Sequence, residues 1–179
     1  MEGNMDHMIL GLLLLESRTI CQLRERIKKG MDLMYSGSMG SIQAAIKKLL
    51  NHGYIRYEES VENGKYKKIY TITDNGKRCF FEWVNSPFEM QNIKNPELVK
   101  VYFMGFPDKT SRRNNMEKYL FHLTKKYHAL NAICEEAKNI TITEENKDII
   151  FYQLSAARYG RDFMKFNMEW YKKLMNEMV

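Results

Sequence analysis

One feature constrains this chain more than any other: its hydrophobic period changes at Gly53. Before that glycine, Ile42, Ala45, Ile46 and Leu49 recur at i, i+3, i+4 and i+7, the spacing of a single buried helix face. After it, Tyr54-Ile55-Arg56-Tyr57-Glu58 and Lys67-Lys68-Ile69-Tyr70-Thr71-Ile72 read with period two. Between these runs stands Asn63-Gly64, two residues that tolerate positive φ and so suit a tight hairpin turn. An amphipathic helix therefore leads straight into a β-hairpin.

The neighbouring segments fill in the plan. Asp6 to Ser17 is apolar with few polar breaks, which predicts a largely buried helix with Asp6 capping its start. After a break at Ser17-Arg18-Thr19, Leu23 and Ile27 lie four apart, with Arg24, Glu25, Arg26, Lys28 and Lys29 outward. This second helix should stop near Gly30. Ser36 to Ser41 is too rich in glycine and serine for regular structure and leads into the third helix at Ile42. Thr73-Asp74 caps a fourth helix, with Phe80, Phe81, Trp83 and Val84, that stops before Ser86-Pro87. Three helices, a hairpin and one more helix match a winged helix-turn-helix plan. A small α+β domain without a nucleic-acid role shares the pattern.

The rest of the chain is helical by pattern. Phe88 to Lys94 reads as a linker, and Asn95-Pro96 starts a short helix over Leu98, Val99, Tyr102 and Phe103, ended by Gly105 and Pro107. A long helix from Asp108 to about Asn139 carries Met116, Leu120, Leu123, Tyr127, Leu130 and Ile133 or Cys134 on one stripe. Thr143-Glu144-Glu145 is expected to cap a last helix holding Ile149, Ile150, Phe151, Leu154, Ala157, Phe163, Phe166, Trp170, Leu174 and Met178. Helices without a sheet have little core of their own, so this part implies a partner surface. The fold class is mainly α: a winged helix-turn-helix domain over 1–86, then an all-helical dimerisation domain over 87–179.

Charge and cysteines narrow the function. The net charge is +6, a weak pointer to a polyanionic partner. Residues 40–78 are the lopsided part: Lys47, Lys48, Arg56, Lys65, Lys67, Lys68, Lys77 and Arg78 face only Glu58, Glu59, Glu62 and Asp74. Cys21, Cys79 and Cys134 form neither a Cys-x-x-Cys pair nor an even set, which argues against a disulfide framework and a zinc knuckle. The apolar run Ile9–Leu15 is shorter than a bilayer span, and acidic Glu2 and Asp6 do not resemble a signal peptide. A cytoplasmic protein with no membrane role is expected. His7, His52, His122 and His128 show no ligand spacing, and no glycine signature or G-x-S-x-G occurs, so neither a catalytic residue, a metal site nor a cofactor is predicted.

Several of these pieces, in order, carry a family resemblance. Ile9-Leu10-Gly11-Leu12-Leu13, Gly40-Ser41-Ile42 with Leu49, Gly53-Tyr54-Ile55, Tyr70 to Lys77 and Trp83 together resemble the PadR family of bacterial transcriptional regulators. The C-terminal helices resemble the dimerisation region of its longer members. The chain departs from the family at Ile20-Cys21, where a Gly-Tyr pair is usual, and at Gln43, where a tyrosine is usual. The resemblance implies a homodimer on a pseudo-palindromic double-stranded DNA operator, most often a repressor, released by a small-molecule effector. A winged-helix protein-interaction module without specific DNA binding is the alternative. A MarR-type regulator fits less well, because the long helices all follow the wing.

With the resemblance in place, Gln43, Lys47 and Lys48 are expected to contact DNA, and Ser41 to donate to a phosphate. Gln43 has the chemistry to read an adenine edge bidentately. Lys65, Lys67 and Lys68, with Tyr66 at the rim, would supply wing contacts to the backbone. Trp83, Tyr102, Phe103 and Trp170 are the candidate lining of an effector pocket. Cys21 is expected to be a buried small hydrophobe; exposed, it would be a candidate redox switch.

Overall fold

The computed structural model describes residues 4–30, 38–62, 65–88 and 95–178. Asn63-Gly64, expected as a turn, Ser36-Gly37 and residues 89–94 of the expected linker lie outside these, as do the side chains of Lys29, Glu62 and Lys65. The chain divides into two compact units, Met1–Met90 and Gln91–Val179, each described by itself.

The first unit contains α1 (Asn4–Leu15), α2 (Ile20–Gly30), α3 (Met39–Asn51), β1 (Ile55–Glu62), β2 (Lys65–Ile72) and α4 (Asp74–Val84). Its core is one cluster. Ile9, Leu10, Leu23, Ile27, Ile42 and Leu49 are fully buried, and Ile55, Tyr70 and Ile72 close the cluster from the hairpin. Each such side chain contributes about 1.5–3 kcal/mol of burial. α1 begins two residues before the expected start, so Asp6 lies in its first turn instead of capping it.

Local chemistry sets the other ends. Thr19 and Gln22 form a reciprocal cap on α2: the Thr19 N–H donates to Gln22 Oε1 at 2.8 Å, and the Gln22 N–H donates to Thr19 Oγ1 at 3.3 Å. Ser38 caps α3 by accepting from the Ser41 N–H at 3.1 Å, so Gly40 and Ser41 are helical, contrary to their composition. Gly53 takes φ +67° directly after α3, a conformation open to glycine. Thr73 caps α4 and donates its hydroxyl to the Gly53 carbonyl at 2.7 Å, tying the start of α4 to the end of α3. At Gly76 a Cβ would lie 2.1 Å from the Tyr54 carbonyl oxygen, so this close approach requires glycine.

β1 and β2 pair antiparallel from Ile55↔Ile72 to Glu62↔Lys65 and are longer than the sequence suggests. A third backbone segment joins them. Arg18, in the break between α1 and α2, exchanges both backbone hydrogen bonds with Tyr70, at 3.0 and 2.9 Å. The hairpin is thereby fixed to the helical layer at its inner end.

The second unit holds α5 (Pro96–Tyr102), α6 (Lys109–Glu136), a 3-10 turn (Ala137–Asn139) and α7 (Lys147–Glu177). Asn95 and Asp108 cap α5 and α6, and Pro96 sits in the first turn of α5. The start of α7 differs from expectation. Asn146 is its N-cap, and the Asn146 side chain instead accepts from the Thr143 N–H at 2.7 Å, closing a turn ahead of the helix. α6 packs against α7, burying Met116, Leu123, Leu130 and Cys134 from one side and Ala157, Gly160, Asn167 and Tyr171 from the other. The α6 stripe is close to the expected heptad seam. On α7 the contact falls on small and polar residues, while Ile149, Phe151, Phe163, Phe166 and Trp170 stay exposed. Among the described residues no helix is long and apolar enough to cross a membrane.

Candidate nucleic-acid interface

α3 buries Ile42, Ala45, Ile46 and Leu49. The opposite side, Gly40, Gln43, Ala44, Lys47 and Asn51, is exposed and carries no acidic group. Small residues at 40 and 44 keep this face low, so a surface can approach the helix closely between Gln43 and Lys47. Both side chains stand where the sequence places them.

Ser41 and Lys48 are engaged elsewhere. The Ser41 hydroxyl donates to the Ser38 carbonyl at 2.7 Å, so its proton is committed within the cap. Its first turn still presents the N–H groups of Met39 and Gly40 ahead of the capped Ser41 N–H, a setting that favours an anion. Lys48 is half-buried, and its Nζ lies 2.8 Å from Asp6 Oδ2, whose side chain is 6% exposed. This pairing gives Lys48 a partner inside the first unit in addition to its expected place on the DNA face. It also explains why Asp6 is tolerated inside α1: a buried carboxylate needs a partner.

Beside the Asp6–Lys48 pair, His7 stacks on Trp83 of α4 with ring centroids 4.5 Å apart and planes 3° from parallel. Burial lowers the His7 pKa, with Asp6 opposing it. Trp83 thus packs across α1 and α4 inside the first unit.

The wing presents Tyr66, 83% exposed, and exposed Lys68, while Lys67 is half-buried. Lys68 Nζ sits 4.0 Å from the centre of the Tyr57 ring and 3.7 Å from Glu59 Oε1. Its hydrogen bond to Tyr57 is the main cause of a raised pKa, so the ammonium stays charged. The Lys65 side chain lies outside the described residues. Cys21 is exposed, contrary to expectation, because Leu23 and Ile27 take the inward positions of α2.

Of the residues suggested for an effector pocket, Tyr102 and Phe103 contact each other edge to face at 5.0 Å, and Trp170 contacts Tyr171 at 4.9 Å. A cavity of about 410 Å³ opens within the second unit between α5, α6 and α7, and none of the three lines it. Its walls include Tyr119 and Tyr171, which the sequence reading does not single out. Tyr119 neighbours the Leu120 stripe and Tyr171 neighbours Trp170, so each is one residue out of the phase assigned to its helix. Among the described residues no cluster of three His, Cys, Asp or Glu could hold a metal ion.

Comparison with known proteins agrees with this fold. A model of the PadR-like transcriptional regulator family matches residues 9–82, and one of the virulence activator alpha C-terminal region matches 93–178. The negative transcriptional regulator PadR of Bacillus subtilis (strain 168) is 27% identical over 104 residues, 56% of this chain and 57% of that relative's length. The crystal structure of Bacillus subtilis PadR in complex with operator DNA superposes with TM-score 0.83 at 20% identity, covering 97% of each chain. The same protein with p-coumaric acid superposes with TM-score 0.74 at 19% identity, covering 96% of each.

Proposed function

The chain belongs to the PadR-like family of transcriptional regulators, and from that premise we propose that it is a cytoplasmic homodimer that binds an operator and represses transcription until a small molecule releases it. Its DNA-binding domain spans 1–86 and its dimerisation domain 87–179. The observation that carries the reading is the acid-free face of α3, with Gln43 and Lys47 exposed over two small residues. Such a face can lie in a major groove, with Gln43 at base edges and Lys47 at phosphates. The first turn of α3, around Ser41, supplies backbone N–H groups to a further phosphate. Lys65, Tyr66, Lys67 and Lys68 serve the adjacent backbone.

The second unit supplies a reason to dimerise. On α7 the buried residues are Ala157, Gly160, Asn167 and Tyr171, and the exposed apolar residues form a separate stripe. Ile149, Tyr152, Tyr159, Phe163, Phe166 and Trp170 are spaced by three, four and seven. A second copy of α7 is the occupant we assign to it, since it offers the same stripe in return. Two recognition helices held about 34 Å apart then meet successive major grooves. Bacillus subtilis PadR has been crystallised with operator DNA and with p-coumaric acid, which supports both a duplex partner and an effector for this chain. We assign it no catalytic step.

The test is binding of the full chain to DNA from its own upstream region, titrated with salt and random-sequence competitor. Specific binding should survive competitor and weaken in Gln43→Ala and Lys47→Ala. The lysine variant should also lower the log–log salt slope by about one. Equal loss to any competitor, with both variants unchanged, would refute the assignment.

A further inference from the structure

Behind α3, Asp6 and His7 are two buried titratable groups that the operator contact does not use. A buried carboxylate and a buried imidazole both need partners. Asp6 has Lys48 of α3, at 2.8 Å. His7 has the Trp83 ring against its face, but its Nδ1 is buried with no hydrogen-bond partner among the described residues. The imidazole thus lies beside an ion pair whose cation is the movable member. Lys48 carries its ammonium on a long flexible stem, and its side chain is 40% exposed. It can turn outward to a phosphate on the α3 face, whereas Asp6 cannot follow it.

The charges around His7 decide what accompanies that turn. Burial is the main force against a proton on the ring, the amino terminus and Lys48 add to it, and Asp6 favours the proton. From α4 come Trp83, the Cys79 thiol, which burial keeps neutral near Asp6, and the exposed Glu82 carboxylate that acts on this thiol. Departure of Lys48 removes one opposing charge and leaves the Asp6 carboxylate buried without its cation. Both changes favour a proton on the neighbouring ring.

We propose that on binding DNA Lys48 exchanges Asp6 for a phosphate, and that His7 takes a proton from solvent and replaces Lys48 as the cation beside Asp6. His7 is thereby a positioning residue: it touches no phosphate and acts on Lys48 through Asp6. DNA and the proton then favour each other's binding. The complex holds more protons than the free chain, so affinity rises as pH falls and levels off once the free chain is protonated too. The inference rests on the operator-binding reading.

The experiment is binding of the full chain to the duplex from its own upstream region between about pH 8 and about pH 5.5, either side of the ordinary histidine value. Affinity should rise about tenfold on the acid side, as for a pKa raised by about one unit in the complex. The log–log salt slope should steepen by about one there, as Lys48 joins the phosphate contacts. Calorimetry in MES and in imidazole, buffers of different ionisation heat, should show uptake of up to about one proton per chain. His7→Phe keeps a ring against Trp83 and should remove all three effects, whereas His52→Gln, at the exposed end of α3, should keep them. Without DNA, proton NMR should show the His7 midpoint raised in Lys48→Met and lowered in Asp6→Asn. Equal affinity and salt slope across the range, no proton uptake, or a pH effect lost in His52→Gln and kept in His7→Phe would overturn the inference and leave operator binding intact. A His7 midpoint unmoved in both Lys48→Met and Asp6→Asn would do the same. No binding to any duplex across the range would overturn both.

Discussion

Replacing Lys48 with alanine separates folding from DNA contact. Lys48 Nζ lies 2.8 Å from Asp6 Oδ2, with the aspartate side chain 6% exposed and the lysine side chain 40%. Lys48→Ala leaves a buried carboxylate without its cation. Breaking a buried pair this way costs about 3–5 kcal/mol, whereas an exposed pair is worth under about 1. A half-exposed lysine beside a buried aspartate falls between them, so the expected loss is about 2 kcal/mol. For a unit of this size that lowers the melting temperature by roughly 8–16 °C. Asp6→Asn should cost less, because the long lysine side chain can carry its charge into water. The double variant Asp6→Asn/Lys48→Met should recover part of the loss.

The assay is urea and thermal denaturation of the four proteins, followed by salt-dependent DNA binding of those still folded. Lys47→Ala is the control, with stability within about 0.5 kcal/mol of the parent as for an ordinary surface change and a shallower salt slope. Should Lys48→Ala keep parental stability and lower the salt slope by about one, the structural role assigned here would be wrong.

Three further outcomes follow from particular contacts. Gly76→Ala forces a Cβ toward the Tyr54 carbonyl, 2.1 Å away, and should cost at least the 1–3 kcal/mol typical of overpacking, read by thermal denaturation. Phe163→Arg with Phe166→Arg should convert a dimer to a helical monomer by light scattering with circular dichroism; a dimer that persists removes the α7 stripe as the interface. His7 should make stability depend on pH. Burial lowers its folded pKa, so the unfolded chain takes a proton near pH 6.5 that the folded chain accepts only at lower pH. Stability is full above about pH 6.5 and falls below it; His7→Phe should flatten that decline in urea melts followed by Trp83 fluorescence, and an unchanged profile would exclude His7 as its source.

What the sequence made legible was local. Thr73, Asn95 and Asp108 announce helix starts because a cap needs only a short polar side chain at one position. The α3 spacing names four buried residues without tertiary knowledge. What stayed hidden depends on distant chain segments. Nothing around Arg18 predicts its pairing with Tyr70, since a single-residue bridge has no period. Asp6 resembles a cap by type, and only the fold brings Lys48 to it. On α7 apolar residues occupy more than one face, so periodicity alone could not separate the side facing α6 from the side left open. The cavity tyrosines were obscured for the same reason, each adjacent to a residue that fits the pattern better.

The division of α7 between two faces bears on how the molecule assembles. The α6–α7 hairpin is built within one chain, from Met116, Leu123 and Leu130 on one helix and Ala157 and Tyr171 on the other. α7 is therefore already a packed helix before a second copy arrives. The proposed encounter orders side chains and removes rigid-body freedom but need not fix a new backbone, which is the larger entropic cost of coupled folding and binding. Such a protein would be synthesised as a folded monomer and would dimerise as its concentration rises, making its own abundance an input to how much DNA it occupies.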